Sequence, residues 1–389
     1  MTRDGWKNTT LGDICEVIRR GKQPKYVEHG LAVVNQKCVR NDRVLQTEHL
    51  RFTDIEQVSV PEGLYLRNGD VLVNSTGTGT VGRSALIEGL DDDLTLDSHV
   101  TLLRPKSELV LGDLFADILM KEQDLVKVAT GGTNQVELSA RAIKALPVQL
   151  PPIEEQREIV NLVRTVDNLI QAGDREISSA GQMREGILRS FIQQMAEQFE
   201  MKPLQEIVDF HDNKRKPVKK ADRVPGPYPY YGASGVADYV DGFLFEGLHL
   251  LIAEDGENIR SRKLPIAFLA DGKFWVNNHA HIVKADTDAT TQYVALAVEY
   301  SDISAYITGS SRPKITKTAC QAIKVPFPSL EEQEKIVEKM QTLDSYLESA
   351  QHAQEALKQV RKDVLHALLS GDKDVREVAE MFTTDHAVA

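Results

Sequence analysis

The chain has 389 residues, 41% of them apolar, and a net charge of −12. That length exceeds what one hydrophobic core usually serves and predicts two or three domains, while the acidic balance argues against stand-alone binding to nucleic acid, where phosphate neutralisation dominates affinity. No apolar run approaches the ~18–20 residues needed to span a bilayer and Met1 to Lys7 lack an apolar signal core, so a cytoplasmic protein with no membrane partner is expected.

Residues 1–150 read as a first globule. Short β-branched and aromatic runs are broken by Gly, Pro, Asn and Asp, the pattern of a mixed, strand-rich fold. Val71-Leu72-Val73 runs into a glycine-rich stretch, Gly77 to Gly82, spaced G-x-G-x-x-G. A dinucleotide fingerprint would open a helix there. Only Arg83 to Glu88 precede Gly89 and Asp91-Asp92-Asp93, so the stretch reads as a tight turn.

Residues 151–200 read as a long helix. Ile159, Val163, Val166 and Ile170 step by 4, 3 and 4, the seam of a coiled coil, and it resumes at Met183, Ile187 and Phe191. Gly173, Gly181 and Gly186 each weaken a helix by up to about 1 kcal/mol relative to alanine, so this helix is expected to bend or break there. Residues 201–327 form a second globule and residues 328–371 a second, straighter helix, with Ile336, Met340, Leu343, Leu347, Val360, Val364 and Leu368 as its seam. Ser329 with Glu332 suits the helix start. Residues 372–389 read as a frayed polar tail.

The chain repeats itself. Pro151-Pro152-Ile153-Glu154-Glu155-Gln156 recurs as Pro328-Ser329-Leu330-Glu331-Glu332-Gln333, an offset of 177 residues held through Asp167 and Asp344 and through Arg184 and Arg361. The globules repeat more loosely: Leu11 to Val17 resembles Leu204 to Phe210, and Asp97-Ser98-His99-Val100 corresponds to Asn277-Asn278-His279-Ala280. The expected fold is therefore α+β, with two strand-rich globules separated by two long helices that pair as an antiparallel coiled coil with a pseudo-twofold repeat.

Globule, helix with P-x-x-E-E-Q, globule, helix again resembles the specificity subunit of type I restriction-modification enzymes. Tyr228-Pro229-Tyr230-Tyr231-Gly232, Ala253-Glu254-Asp255-Gly256 and Phe274-Trp275-Val276-Asn277-Asn278-His279 agree with it. The resemblance implies a non-catalytic subunit. Each globule would be a target recognition domain reading one half of a split, asymmetric site in double-stranded DNA, and the paired helices would fix the unread spacer. Two modification subunits would methylate adenine N6, and restriction subunits would cleave. No cofactor is implied for this chain; S-adenosylmethionine, ATP and Mg would sit on the partners. The alternatives are a DNA-reading adaptor of a related defence system, a coiled-coil scaffold that binds no DNA, and an enzyme. Against an enzyme, the N/D-P-P-Y/F motif of an adenine methyltransferase, Walker A, H-E-x-x-H and G-x-S-x-G are all missing.

Phosphate anchoring needs clustered cations, and base reading favours Arg, Lys, Asn and Gln. The first globule offers Arg19, Arg20, Lys22, Lys25, Lys37, Arg40, Asn74, Thr76, Thr78, Arg83, Asn134 and Gln135. The second offers Lys214, Arg215, Lys216, Lys219, Lys220, Arg260, Arg262, Arg312 and Lys314. Lys214 to Lys220 suit phosphate; Arg260, Arg312 and Asn134 suit base edges. His279 and His281 read as core or polar-cluster histidines rather than metal ligands, and the scattered Cys15, Cys38 and Cys320 as buried or half-buried thiols.

Overall fold

The structure of the chain is a computed structural model. It describes every residue except 1–4, 41–44, 57–58, 78, 121–124, 126–129, 133–134 and 385–389, and describes only the backbone of 120, 130–132, 135–136 and 381–384. The chain forms two compact units, 1–172 with 355–389, and 173–354. Each unit takes one globule together with a part of both long helices.

In the first unit, Cys15–Arg20, Val100–Pro105, Val71–Asn74 and Ser84–Leu86 form an antiparallel sheet in that order. The central strand is buried on both faces because its side chains alternate. Val71 and Val73 join Phe115 of the helix Gly112–Met120, whereas Leu72 joins Val34, Leu94 and Leu96 of a second, mixed sheet. Arg104 enters this core against Asp70 at 2.7 Å. Lys7–Thr10 pairs with Pro147–Leu150 and closes the globule beside the first long helix.

The second unit repeats the plan. Asp209–Phe210, Ala280–Lys284, His249–Ala253 and Ala267–Ala270 form the antiparallel sheet. Leu250 and Ile252 face the helix Asp288–Tyr300, and Leu251 faces Phe274 and Val276 of the mixed sheet. Met201–Pro203 pairs with Lys324–Pro326 where the first globule has its closing ribbon.

Both long helices, Ile153–Gln198 and Leu330–Ser370, are unbroken. No break occurs at the glycines, and Gly173 shows a packing reason for its lack of a side chain: a Cβ there would lie 2.3 Å from Oε1 of Gln354. The helices run antiparallel within each unit. In the first, Arg361 pairs with Asp167 and Asp117. In the second, Arg184 pairs with Asp344, Asp174 accepts from Gln354, and Tyr346 donates to Glu176. Asp167–Arg361 and Asp344–Arg184 are thus the same pair made twice. The repeated motif also has a local role. The Gln156 amide donates to Pro151 O and Leu109 O and accepts from Leu111 N, and Gln333 donates to Pro328 O. Ser329 and Glu332 form the reciprocal cap expected of them.

The seam holds through Ile159, Val163 and Val166, and through Ile336 and Met340, all buried. Beyond that it slips by one. Leu188, Ile192, Leu365 and Leu369 are buried, whereas Met183, Ile187 and Val360 are exposed; the expected Leu368 is buried as well. A helix of 3.6 residues per turn returns to the same face after about 29 residues in eight turns, which is one more than a strict heptad count allows. The expected tail differs too. Asp374 and Glu377 cap each other's backbone N–H, a helix Val375–Thr384 follows, and Val378 packs on Ile159 and Leu365.

Candidate nucleic-acid interface

The end of the central strand carries the same loop arrangement in both units. In the first unit Ser75 N–H donates to His99 O and Leu138 N–H to Ser75 O, both at 2.8 Å. In the second, Glu254 N–H donates to His279 O at 2.9 Å and Ile315 N–H to Glu254 O at 2.8 Å. Thr76 and Glu137 bridge where Asp255 and Lys314 do. Around these ends lie the turns rich in glycine. Gly77, Gly79 and Gly82 all take positive φ and are followed by the strand Ser84–Leu86 rather than a helix, which confirms the tight turn.

Behind the second arrangement sits a buried polar network. Asp212 accepts from the His281 ring at 2.7 Å and from Ile282 N–H at 3.0 Å. The other His281 nitrogen lies 2.9 Å from Ile315 O. Arg215 donates to Glu254 at 2.6 Å and to Ala280 O at 2.8 Å, and Lys314 lies 3.1 Å from Glu254. Burial would raise the Asp212 pKa, but the His281 hydrogen bond and charge, the Ile282 N–H and the Arg215 charge together hold it below its ordinary value of 3.8. Its stabilising contribution is therefore complete above about pH 4 and is lost as pH falls through the folded-state pKa. We expect urea stability to fall on acidification below about pH 4, and Asp212→Asn to weaken that dependence while costing about 3 kcal/mol at neutral pH. An unchanged acid limb in the variant would remove Asp212 from this role.

Several of the candidate contacts also bond within the fold. Asn74 is fully buried and donates to Gln36 O and Val39 O. Arg20 bonds Ser98 O and Glu137. Arg215 is committed to the network above. Arg262 donates to Glu299 O at 2.7 Å, and Arg260 holds the turn carbonyls Gly309 and Ser310. Each was read as a surface cation or amide because sequence does not show the carbonyl or carboxylate that folding brings to it. Thr76 is buried against His99, and Arg83 is half-buried in the hairpin. Thr78 and Asn134 lie outside the described residues, and of Gln135 only the backbone is described.

Exposed cations remain in both units. Arg19, Lys22, Lys25, Lys37 and Arg40 are exposed in the first unit. In the second, Lys214, Lys216, Lys219 and Lys220 lie on one loop held by aromatic residues. Trp275 donates to Lys216 O at 2.6 Å, Tyr230 OH accepts from Val218 N–H at 2.9 Å, and Arg223 stacks 4.3 Å above Tyr230 while donating to Val218 O. The aromatic runs noted in the sequence thus fix a ledge of lysines. Arg312 is 68% exposed and reaches Asp255 at 3.2 Å. His279 lies 2.9 Å from the same carboxylate, while His281 is buried with Asp212. The two histidines therefore have separate partners. Sequence reasoning missed Asp255, although the repeat had already aligned His99 with His279. Cys15, Cys38 and Cys320 are buried, and burial pushes the Cys15 thiol up to about 12.

Two units of one plan, each with a loop-built surface at the end of its central strand, define a tandem-repeat α+β protein. The chain belongs to the family described as type I restriction modification DNA specificity domain, matching at residues 3–178 and again at 196–359. It is 22% identical over 403 residues to a putative type I restriction enzyme MjaX specificity subunit of Methanocaldococcus jannaschii, covering 95% of this chain and 93% of that one. It is 37% identical over 158 residues, 40% of each chain, to a putative type I restriction enzyme specificity subunit of Haemophilus influenzae. Its fold is similar to the crystal structure of a type I restriction-modification S subunit from M. genitalium, with TM-score 0.53 and 16% identity over 94% of this chain and 96% of that one. Among the described residues no helix is long and apolar enough to cross a membrane.

Proposed function

We propose that each unit reads one half of a split, asymmetric duplex DNA site, and that the chain directs adenine-N6 methylation and restriction carried out by two modification subunits and by restriction subunits. The observation that carries this reading is the repeated loop arrangement bordered by exposed cations, whose immediate side chains differ between the units. One scaffold with different presented side chains suits two different half-sites, since phosphate contacts position a protein and base contacts specify the sequence. The chain itself would be non-catalytic and would act in the cytoplasm. S-adenosylmethionine, ATP and Mg would be bound by the partners.

The acidic balance fits a shared interface. Glu154, Glu155, Glu331 and Glu332 lie in the first turns of the long helices, where the helix dipole favours them, so the partners would supply part of the phosphate-binding charge. Long-read methylation mapping of host DNA with and without this gene tests the reading. One split adenine motif is expected to vanish with the gene, and an unchanged methylome would overturn it.

A further inference from the structure

The two units hold a histidine in the same way by contacts distant in sequence. Besides the shared backbone bonds, His99 N–H donates to Asp97 Oδ1 at 2.8 Å and His279 N–H to Asn277 Oδ1 at 2.7 Å. Each ring then rests its Nδ1 on the side chain at the end of the central strand. His99 meets Thr76 Oγ1 at 2.7 Å, and His279 meets Asp255 Oδ1 at 2.9 Å. None of the shared backbone contacts needs an imidazole. Neither ring belongs to a hydrophobic cluster, and the His279 side chain is 41% exposed. Among the described residues neither Nε2 has a partner in the protein.

The second unit's arrangement has a defined hydrogen-bonding sense. A carboxylate only accepts, so Asp255 makes Nδ1 of His279 the donor and leaves Nε2 of the neutral ring an acceptor. The same carboxylate holds Arg312 through Oδ2, so a guanidinium donor and an imidazole acceptor sit side by side on a shallow cleft lined by Gly232, Ser234 and Asn277. Asp255 anchors one edge of the Arg312 guanidinium and so fixes its orientation. That suits a directional contact to a base better than a phosphate contact, for which the nearby exposed lysines are better charged. In the major groove a G·C pair shows the guanine acceptors N7 and O6 beside the cytosine N4 donor, which complements the Arg312 and His279 pair.

We propose that Arg312 and His279 read one G·C pair of the half-site taken by the second unit, with Asp255 as the positioning residue, and that His99 is the reading histidine of the first unit. Thr76 can donate or accept, so it does not fix the His99 tautomer and the first unit is free to read a different base. This assignment rests on the proposed reading of duplex DNA. The test uses the chain assembled with its methyltransferase partners, acting on a DNA library randomised across the wild-type site. Arg312→Gln and His279→Ala are expected to reduce discrimination for G·C at one position of one half-site by at least about fivefold and to leave the other half-site unchanged. Asp255→Thr should relax the same position, and His99→Ala the other half-site.

Activity lowered equally on every sequence, with the salt slope reduced by about one per residue, would make these phosphate contacts and overturn the assignment. So would an unaltered preference in variants whose melting temperatures match the wild type. Arg312 is mostly exposed, so its substitution tests the assignment even where the Asp255 variant unfolds. A wild-type complex with no split motif would instead overturn the reading of DNA itself.

Discussion

Replacing Arg361 with methionine is expected to destabilise the first unit by about 3 kcal/mol, the scale for removing one partner of a buried ion pair. Arg361 is only 15% exposed and lies between Asp167 and Asp117, the latter 2% exposed. Burial works against the guanidinium's charge, but the Asp167 and Asp117 carboxylates outweigh it and raise the Arg361 pKa. Its repeat counterpart Arg184 makes the same helix-to-helix pair with Asp344, which is 51% exposed. Solvent screens that pair, so Arg184→Met should cost clearly less, about 1 kcal/mol once the lost hydrogen bond to Tyr300 at 3.0 Å is included. Hydrogen exchange on the full chain separates the two. Arg361→Met should accelerate exchange in residues 1–172 and Arg184→Met more weakly in 173–354. Equal effects would show that burial of the carboxylate partner does not set the cost.

Changing Lys214, Lys216, Lys219 and Lys220 together to glutamine should weaken DNA binding by the assembled complex on all sequences alike. Each phosphate contact contributes about 0.9 to the slope of log affinity against log salt, so four lost contacts should flatten that slope by about 3.6. The target motif should stay the same. A changed motif with an unchanged slope would place these lysines on base edges. Arg215, in the same run of sequence, should behave differently. It is tied to Glu254 and Ala280 O, so its loss should appear first as instability of the second unit.

Within that one stretch, sequence reading grouped five cations that the structure divides into four exposed lysines and one half-buried arginine. A run of positive charge shows where cations are dense, not which of them meets a carboxylate. Beyond the neighbouring Asp212, the partners of Arg215 lie 39 and 65 residues away in the chain. The carbonyls that Asn74, Arg260 and Arg262 meet are hidden from sequence for the same reason. The seam was legible where it is short, through Ile159 and Val166, and slipped where small errors in helical period accumulate. The tail was read from its polarity, which hid the mutual cap of Asp374 and Glu377.

The sequence by itself determined the duplication, the two long helices, the strand-rich globules between them and, through the repeated P-x-x-E-E-Q motif, the family. These follow from local periodicity and turn chemistry, which act over a few residues and so leave a pattern in the chain. Only the tertiary structure decided that the helices run unbroken past their glycines, which side chains the globules present, and that Asp255 holds His279 and Arg312 together. Those depend on groups brought from 24 and 57 residues away. Their geometry is set by the sheet and loop packing and has no counterpart in residue spacing.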